Sequence, residues 1–160
     1  MVMNMWKKAL PGIGFSAIAL GAGGLSALIS TDAMKQFDNL PKPPLAPPGW
    51  VFPAAWTLLY ILMGVSAGIV WRKSSGLTRE RAMWLWAVQL FFNFCWSFLF
   101  FNLQLRLLSF FWLMALLALV IAMTARFSGV SREAGALNYP YILWLFFAAY
   151  LNMGSYILNG

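Results

Sequence analysis

The sequence predicts an all-α membrane protein, a bundle of five transmembrane helices forming a single domain over residues 1–160. Three observations predict it. Of the 160 residues, 62% are hydrophobic and only 9% charged, a balance far from that of soluble domains. The charged residues divide the chain into five apolar windows, each with the roughly 20 apolar residues that cross a ~30 Å hydrocarbon core as a helix. The Lys and Arg residues gather at the ends of those windows. In a soluble chain a net charge of +7 points to nucleic acid. At the ends of apolar runs it suits anionic lipid headgroups, so membrane lipid and not nucleic acid is the expected partner.

The first window, Ala9–Thr31, gives a helix over about 9–30. Lys7 and Lys8 imitate the start of a signal peptide, but Leu10–Ile29 is too long for its apolar segment and no small-x-small cleavage site follows, so the helix is retained. Pro43–Trp71 yields helix two over about 53–72, Ala82–Leu105 helix three over 82–102, and Leu107–Ala125 helix four over 106–126. Ala134–Gly160 yields helix five over 136–157. The N-terminal tail, second loop and fourth loop carry eight Lys and Arg against three on the other side. Positive-inside bias therefore places the N-terminus in the cytoplasm, with the first loop and C-terminus outside, and fits a bacterial inner membrane best.

Composition excludes much chemistry. There is no histidine, which removes histidine-ligated haem, di-iron sites and zinc-hydrolase triads, so no metal site is expected. The four carboxylates are read as loop residues, and Cys95 as a small core residue. With no Asp, Glu, Lys or Arg inside a predicted helix, an ion-coupled carrier is disfavoured, and no intramembrane lysine exists for a retinal Schiff base.

Packing in lipid depends on small residues. Ala19, Gly23 and Ala27 form such a stripe on helix one, and Gly64 with Gly68 forms a GxxxG on helix two that serves internal packing or a dimer face. The first loop, 31–52, is the one long connection. Asp38–Pro53 holds six of the eight prolines, a stiff composition that reads as a lid over the bundle mouth or, more plainly, as a rigid connector anchored by Trp50.

Three helices carry aromatic and polar residues at helical spacing: Trp56, Tyr60 and Met63 on helix two; Gln89, Asn93, Trp96 and Ser97 on helix three; Tyr141, Trp144, Ala148, Asn152 and Ser155 on helix five. Gln89, Asn93 and Asn152 should face protein, as cross-links between helices or as polar tips of a cavity. Trp56 and Trp144 on the same stripes favour a site for a planar, mostly apolar ligand. Straight helices would leave these two rings about 15 Å apart in depth. Trp6, Trp71, Trp84 and Trp86 read as interfacial belt residues.

Three runs in order, DNLPKPPLAPPGWVFPAAWTLLYILMGVSAGIVW (Asp38–Trp71), QLFFNFCWSFLFF (Gln89–Phe101) and PYILWLFFAAYLN (Pro140–Asn152), resemble the tryptophan-rich sensory protein, or translocator protein, family. The resemblance implies a five-helix bundle, commonly a homodimer, whose loop-capped cavity binds porphyrins, benzodiazepine-type and isoquinoline ligands and, in animal members, cholesterol. It implies binding residues at Trp56, Asn93, Trp144 and Ala148, with Phe37 and Pro43–Pro47 in the lid. Asn152 lies in the matching helix-five motif. The chain departs from the pattern at Phe37, where an aromatic with a polar atom is common, and at Pro44-Leu45, where an aromatic is common. No basic residue follows Tyr156, which lowers the expectation of cholesterol binding.

The candidate ligand-binding residues are thus Phe37, Pro43, Pro47, Trp56, Tyr60, Gln89, Asn93, Trp96, Tyr141, Trp144, Ala148 and Asn152. The leading expectation is a membrane sensor or translocator for porphyrins and similar flat molecules, metal-free or as haem, with no cofactor required. The enzyme alternative is light- and oxygen-dependent porphyrin degradation with Trp56 and Trp144 as redox or stacking partners, since no general acid, base or nucleophile is arranged. The third is a regulatory subunit whose cavity is merely packing.

Overall fold

The computed structural model describes residues 2–160. Five helices are long and apolar enough to cross a membrane, and among the described residues there is no strand. The spans are α1 (Val2–Ile29), α3 (Val51–Lys73), α4 (Gly76–Ser97, continued by a π-helical turn over Phe98–Asn102), α5 (Arg106–Val130) and α7 (Tyr139–Asn159). Two short helices precede spans: α2 (Thr31–Asp38) before α3 and α6 (Arg132–Ala136) before α7. One end of the bundle bears the segment between α2 and α3, called here the lid end. The other bears the basic connections.

The core is sparse in charge and rich in small residues, as lipid-embedded packing requires. Helix α1 lies along α3, and α5 touches both α4 and α7. Gly64 and Gly68 make the first contact: an added Cβ would stand 2.3 Å from the Ser16 backbone at one and 2.3 Å from the Gly12 backbone at the other. The GxxxG of α3 is therefore spent on α1 inside the chain. Ser16 Oγ donates to the Ile61 carbonyl at the same crossing, 3.0 Å.

Two elements differ from the sequence expectation. The first loop is not continuous over 31–52, because Thr31–Asp38 is the helix α2; only 39–50 is irregular. The prolines that argued for a stiff loop begin at Pro41, and the eight residues before Asn39 contain none. Helix α4 starts at Gly76, six residues before the charge-delimited window, because Arg79, Glu80 and Arg81 lie in its first turns. The carboxylates read as loop residues thus occupy short helices or terminal turns: Asp32 and Asp38 in α2, Glu80 in α4, Glu133 in α6.

That earlier start of α4 moves Trp86 inward. It is 5% exposed, on the inward stripe Ala82–Trp86–Gln89–Asn93–Trp96, and its indole N–H donates to the Met63 carbonyl at 3.1 Å. It is a core residue and not part of the belt. Trp6 and Trp84 remain exposed on the outer surface of the bundle, while Trp71 lies under the Arg79 guanidinium, 4.7 Å from its ring.

Candidate functional site

Beneath the lid lies a cavity of about 450 Å³, within the range of small-molecule sites. Its wall from α3 is Trp56 and Tyr60, stacked with ring centroids 5.7 Å apart at 28°. Helix α4 contributes Trp96, stacked on Phe100 of the π-turn at 5.3 Å and 17°. Helix α7 contributes Trp144, Ala148 and Asn152, and α1 contributes Gly23, where an added Cβ would meet the Tyr60 ring at 2.1 Å. Phe37 and Pro43 close the top. Trp56 meets Trp144 edge-on, centroids 6.3 Å apart at 85°, so two indoles meet at a corner of the space. The Trp144 indole N–H is buried and has no acceptor among the described residues.

The floor is a hydrogen-bonded chain. Tyr60 donates to Asn93 Oδ1 at 2.7 Å, Asn93 Nδ2 to the Tyr141 hydroxyl at 2.7 Å, and Tyr141 to Gln89 Oε1 at 2.9 Å. Gln89 Nε2 ends it on the Met63 sulfur at 3.5 Å. Every link joins two of α3, α4 and α7, so the chain fixes the relative rotation of the three helices that hold the tryptophans. A second polar knot stands nearer the lid. Asn152 Oδ1 accepts from Trp96 Nε1 at 3.1 Å and from Ser109 Oγ at 3.1 Å, and its amide donates to the Arg106 carbonyl at 2.8 Å.

The lid is fastened to α7. Tyr150 donates to the Pro44 carbonyl at 2.6 Å and Asn159 Nδ2 to the Pro41 carbonyl at 3.0 Å. These carbonyls are free because prolines supply no N–H to pair locally. Pro43 seats against Gly154, where an added Cβ would come within 2.6 Å of the ring. Lys42 reaches back to the Asp38 carboxylate at 3.3 Å and lies 5.7 Å from the centroid of Phe37.

Of the twelve residues singled out in the sequence, Phe37, Pro43, Trp56, Tyr60, Trp96, Trp144, Ala148 and Asn152 line the cavity. Gln89, Asn93 and Tyr141 do not; they form the supporting floor, with Tyr60 as the link. Pro47 lies in the lid away from the lining. The predicted 15 Å offset in depth between Trp56 and Trp144 is absent, and α6 is the reason. Its Ala134 carbonyl accepts from Ser66 Oγ at 2.6 Å, and Asn138 Nδ2 donates to the same hydroxyl at 2.7 Å, so α7 begins level with Ser66. Ser66 lies two turns short of the end of α3 at Lys73, which raises everything on α7 by about 10 Å toward the lid.

Sequence reasoning missed Gly154, Tyr150 and Asn159, whose partners are a proline ring and backbone carbonyls far away in sequence and leave no spacing signal. It also missed Arg106. Read as a loop charge, Arg106 is the first residue of α5 and only 7% exposed, an ionisable group inside a spanning helix.

The comparisons with known proteins agree with this architecture. The family model described as TspO/MBR family matches residues 15–157. The chain is 36% identical over 159 residues to the tryptophan-rich sensory protein of Cereibacter sphaeroides, covering 98% of this chain and 95% of that one. It is 38% identical over 144 residues to Protein CrtK of Rhodobacter capsulatus, covering 86% of each chain. To the translocator protein of Homo sapiens it is 31% identical over 146 residues, covering 89% of this chain and 86% of that one. A match that runs from the second half of α1 to the end of α7 takes in every element that builds the cavity, and on it this integral membrane protein belongs to the TspO/MBR family.

Proposed function

We propose that the protein is a membrane sensor or translocator whose lid-capped cavity binds porphyrins and related planar apolar ligands. The observation that carries this reading is the corner of Trp56 and Trp144 inside an enclosed, largely apolar space, with the Trp144 N–H buried and unpartnered. Flat rings favour offset-stacked or edge-on contact with a flat ligand. A buried donor without an acceptor in the protein is costly alone and is satisfied by an acceptor on a ligand. The charge count places the lid end on the outer side of a bacterial inner membrane. A second reading, light- and oxygen-dependent porphyrin breakdown, is favoured by the contiguity of Trp144, Trp56 and Tyr60, which offers an electron path away from an excited ligand.

Titration of the purified protein with protoporphyrin IX, followed by tryptophan fluorescence in the dark and then in the light, tests both. Saturable quenching is expected, weakened about tenfold or more by the double substitution Trp56→Phe and Trp144→Phe. Unsaturable quenching, or equal binding by the double variant, overturns the binding reading. Loss of porphyrin absorbance in the light that needs both indoles supports the second; a stable complex under light excludes it.

A further inference from the structure

A second cavity, about 250 Å³, opens at the lid end beside the first. Phe37, Phe100 and Phe101 line both, so one layer of aromatic rings separates them. Their characters differ: the second is lined by Gln104, Asn159 and the guanidinium of Arg106. Arg106 is 7% exposed. Its Nε is buried without a partner, and its one hydrogen bond from the guanidinium goes from Nη1 to the Gly160 carbonyl oxygen at 3.3 Å. The ion pairs among the described residues join Lys35 to Asp32, Lys42 to Asp38 and Lys73 to Glu133, and none involves Arg106. Arginine keeps its charge in proteins, and a cation this far from water is costly without an anion. The site also adjoins the N-terminus of the 25-residue helix α5, whose dipole favours negative charge. The backbone is bent to put it there: Gln104 has φ +54, left-handed for a residue other than glycine, immediately after the π-turn.

We propose that this side pocket receives a carboxylate carried by the ligand of the main cavity, so that the protein selects flat apolar molecules bearing an anionic arm. This rests on the binding reading above and narrows its ligand class. The planar body lies against Trp56 and Trp144, and a short alkyl arm passes the Phe37–Phe100–Phe101 layer to bring its carboxylate onto the Arg106 fork, with Gln104 and Asn159 as neutral neighbours. Arginine suits this task because its planar donors match a carboxylate in pairs.

The test compares protoporphyrin IX, which carries two carboxylates, with its dimethyl ester, which has the same ring and none. Both are titrated into the full chain in maltoside micelles and phosphate-free buffer. Wild type is expected to bind the acid about tenfold or more tightly than the ester. Arg106→Gln should bring the acid-to-ester ratio to about one, while Arg106→Lys, which keeps the charge and loses the fork, retains a preference of several fold. Equal affinity of wild type for both compounds would mean the guanidinium is fully engaged by Gly160, and overturns this inference alone. Failure of both compounds to bind overturns the tetrapyrrole reading and this inference with it. Weakening of both compounds by Arg106→Gln with the ratio kept marks Arg106 as structural and overturns the inference. So does an Arg106-dependent rise in thermal stability on adding phosphatidylglycerol, if acid and ester bind alike; the anion is then a lipid phosphate.

Discussion

The four linked side chains Tyr60, Asn93, Tyr141 and Gln89 show how single residues hold the site without touching what it holds. Each is buried, and each satisfies a neighbour that lipid could not satisfy. Asn93 stands in the middle, accepting from one tyrosine and donating to another. Asn93→Leu should therefore cost about 1–3 kcal/mol, because both hydroxyls lose a partner at once. The check is thermal unfolding in detergent, where a lower midpoint is expected; an unchanged one would mean that the chain contributes nothing. The amides were legible in the sequence as inward-facing, since amides avoid hydrocarbon. Their division of labour was not legible. Whether an inward amide meets a cavity or a tyrosine hydroxyl depends on helix rotation and depth, and spacing along one helix reports neither. Trp86 makes the same point in reverse, because its place in the core followed from helical turns built on Arg79, Glu80 and Arg81, which a charge boundary treats as loop.

At the scale of elements, two close approaches set the shape of the cavity. The α1–α3 crossing needs Gly68 bare, whereas Gly14 on the same α1 faces open space. Gly68→Ala is expected to push the helices apart and lower the unfolding midpoint. Gly14→Ala should leave it level or raise it slightly, since alanine favours a helix by up to about 1 kcal/mol. Equal behaviour of the two variants would contradict the crossing. The other approach is the lid on α7. Gly154→Ala places a methyl against Pro43 and should weaken lid closure, so bound porphyrin ought to dissociate several-fold faster in stopped-flow measurements; an unchanged off-rate would show that the lid does not retain the ligand. The GxxxG and the proline run were visible in the sequence as packing and lid signals. Which helix each would meet was not, because both partners are backbone surfaces of ordinary composition.

Over the whole molecule, five spans were legible because hydrocarbon thickness imposes a length and an apolar composition on any crossing helix. What the windows could not give is depth. The short helix α6, buried against Ser66, raises α7 by two turns and converts two tryptophans expected at different depths into neighbours. The same offset brings Ala148 and Asn152 beneath the lid and carries the end of α7 to the second cavity, where Asn159 lies with Arg106. Binding in the enclosed space, and not on the lipid-facing surface, is therefore the property on which the proposed function depends. Ala148, 6% exposed and on the cavity wall, offers the most direct test, with Trp84 on the exterior, 64% exposed, as its control. In equilibrium titrations with protoporphyrin IX, Ala148→Trp is predicted to fill the space and lower affinity by about tenfold or more, while Trp84→Phe leaves it unchanged. Wild-type affinity in a well-folded Ala148→Trp variant, or a loss of affinity in Trp84→Phe, would contradict it.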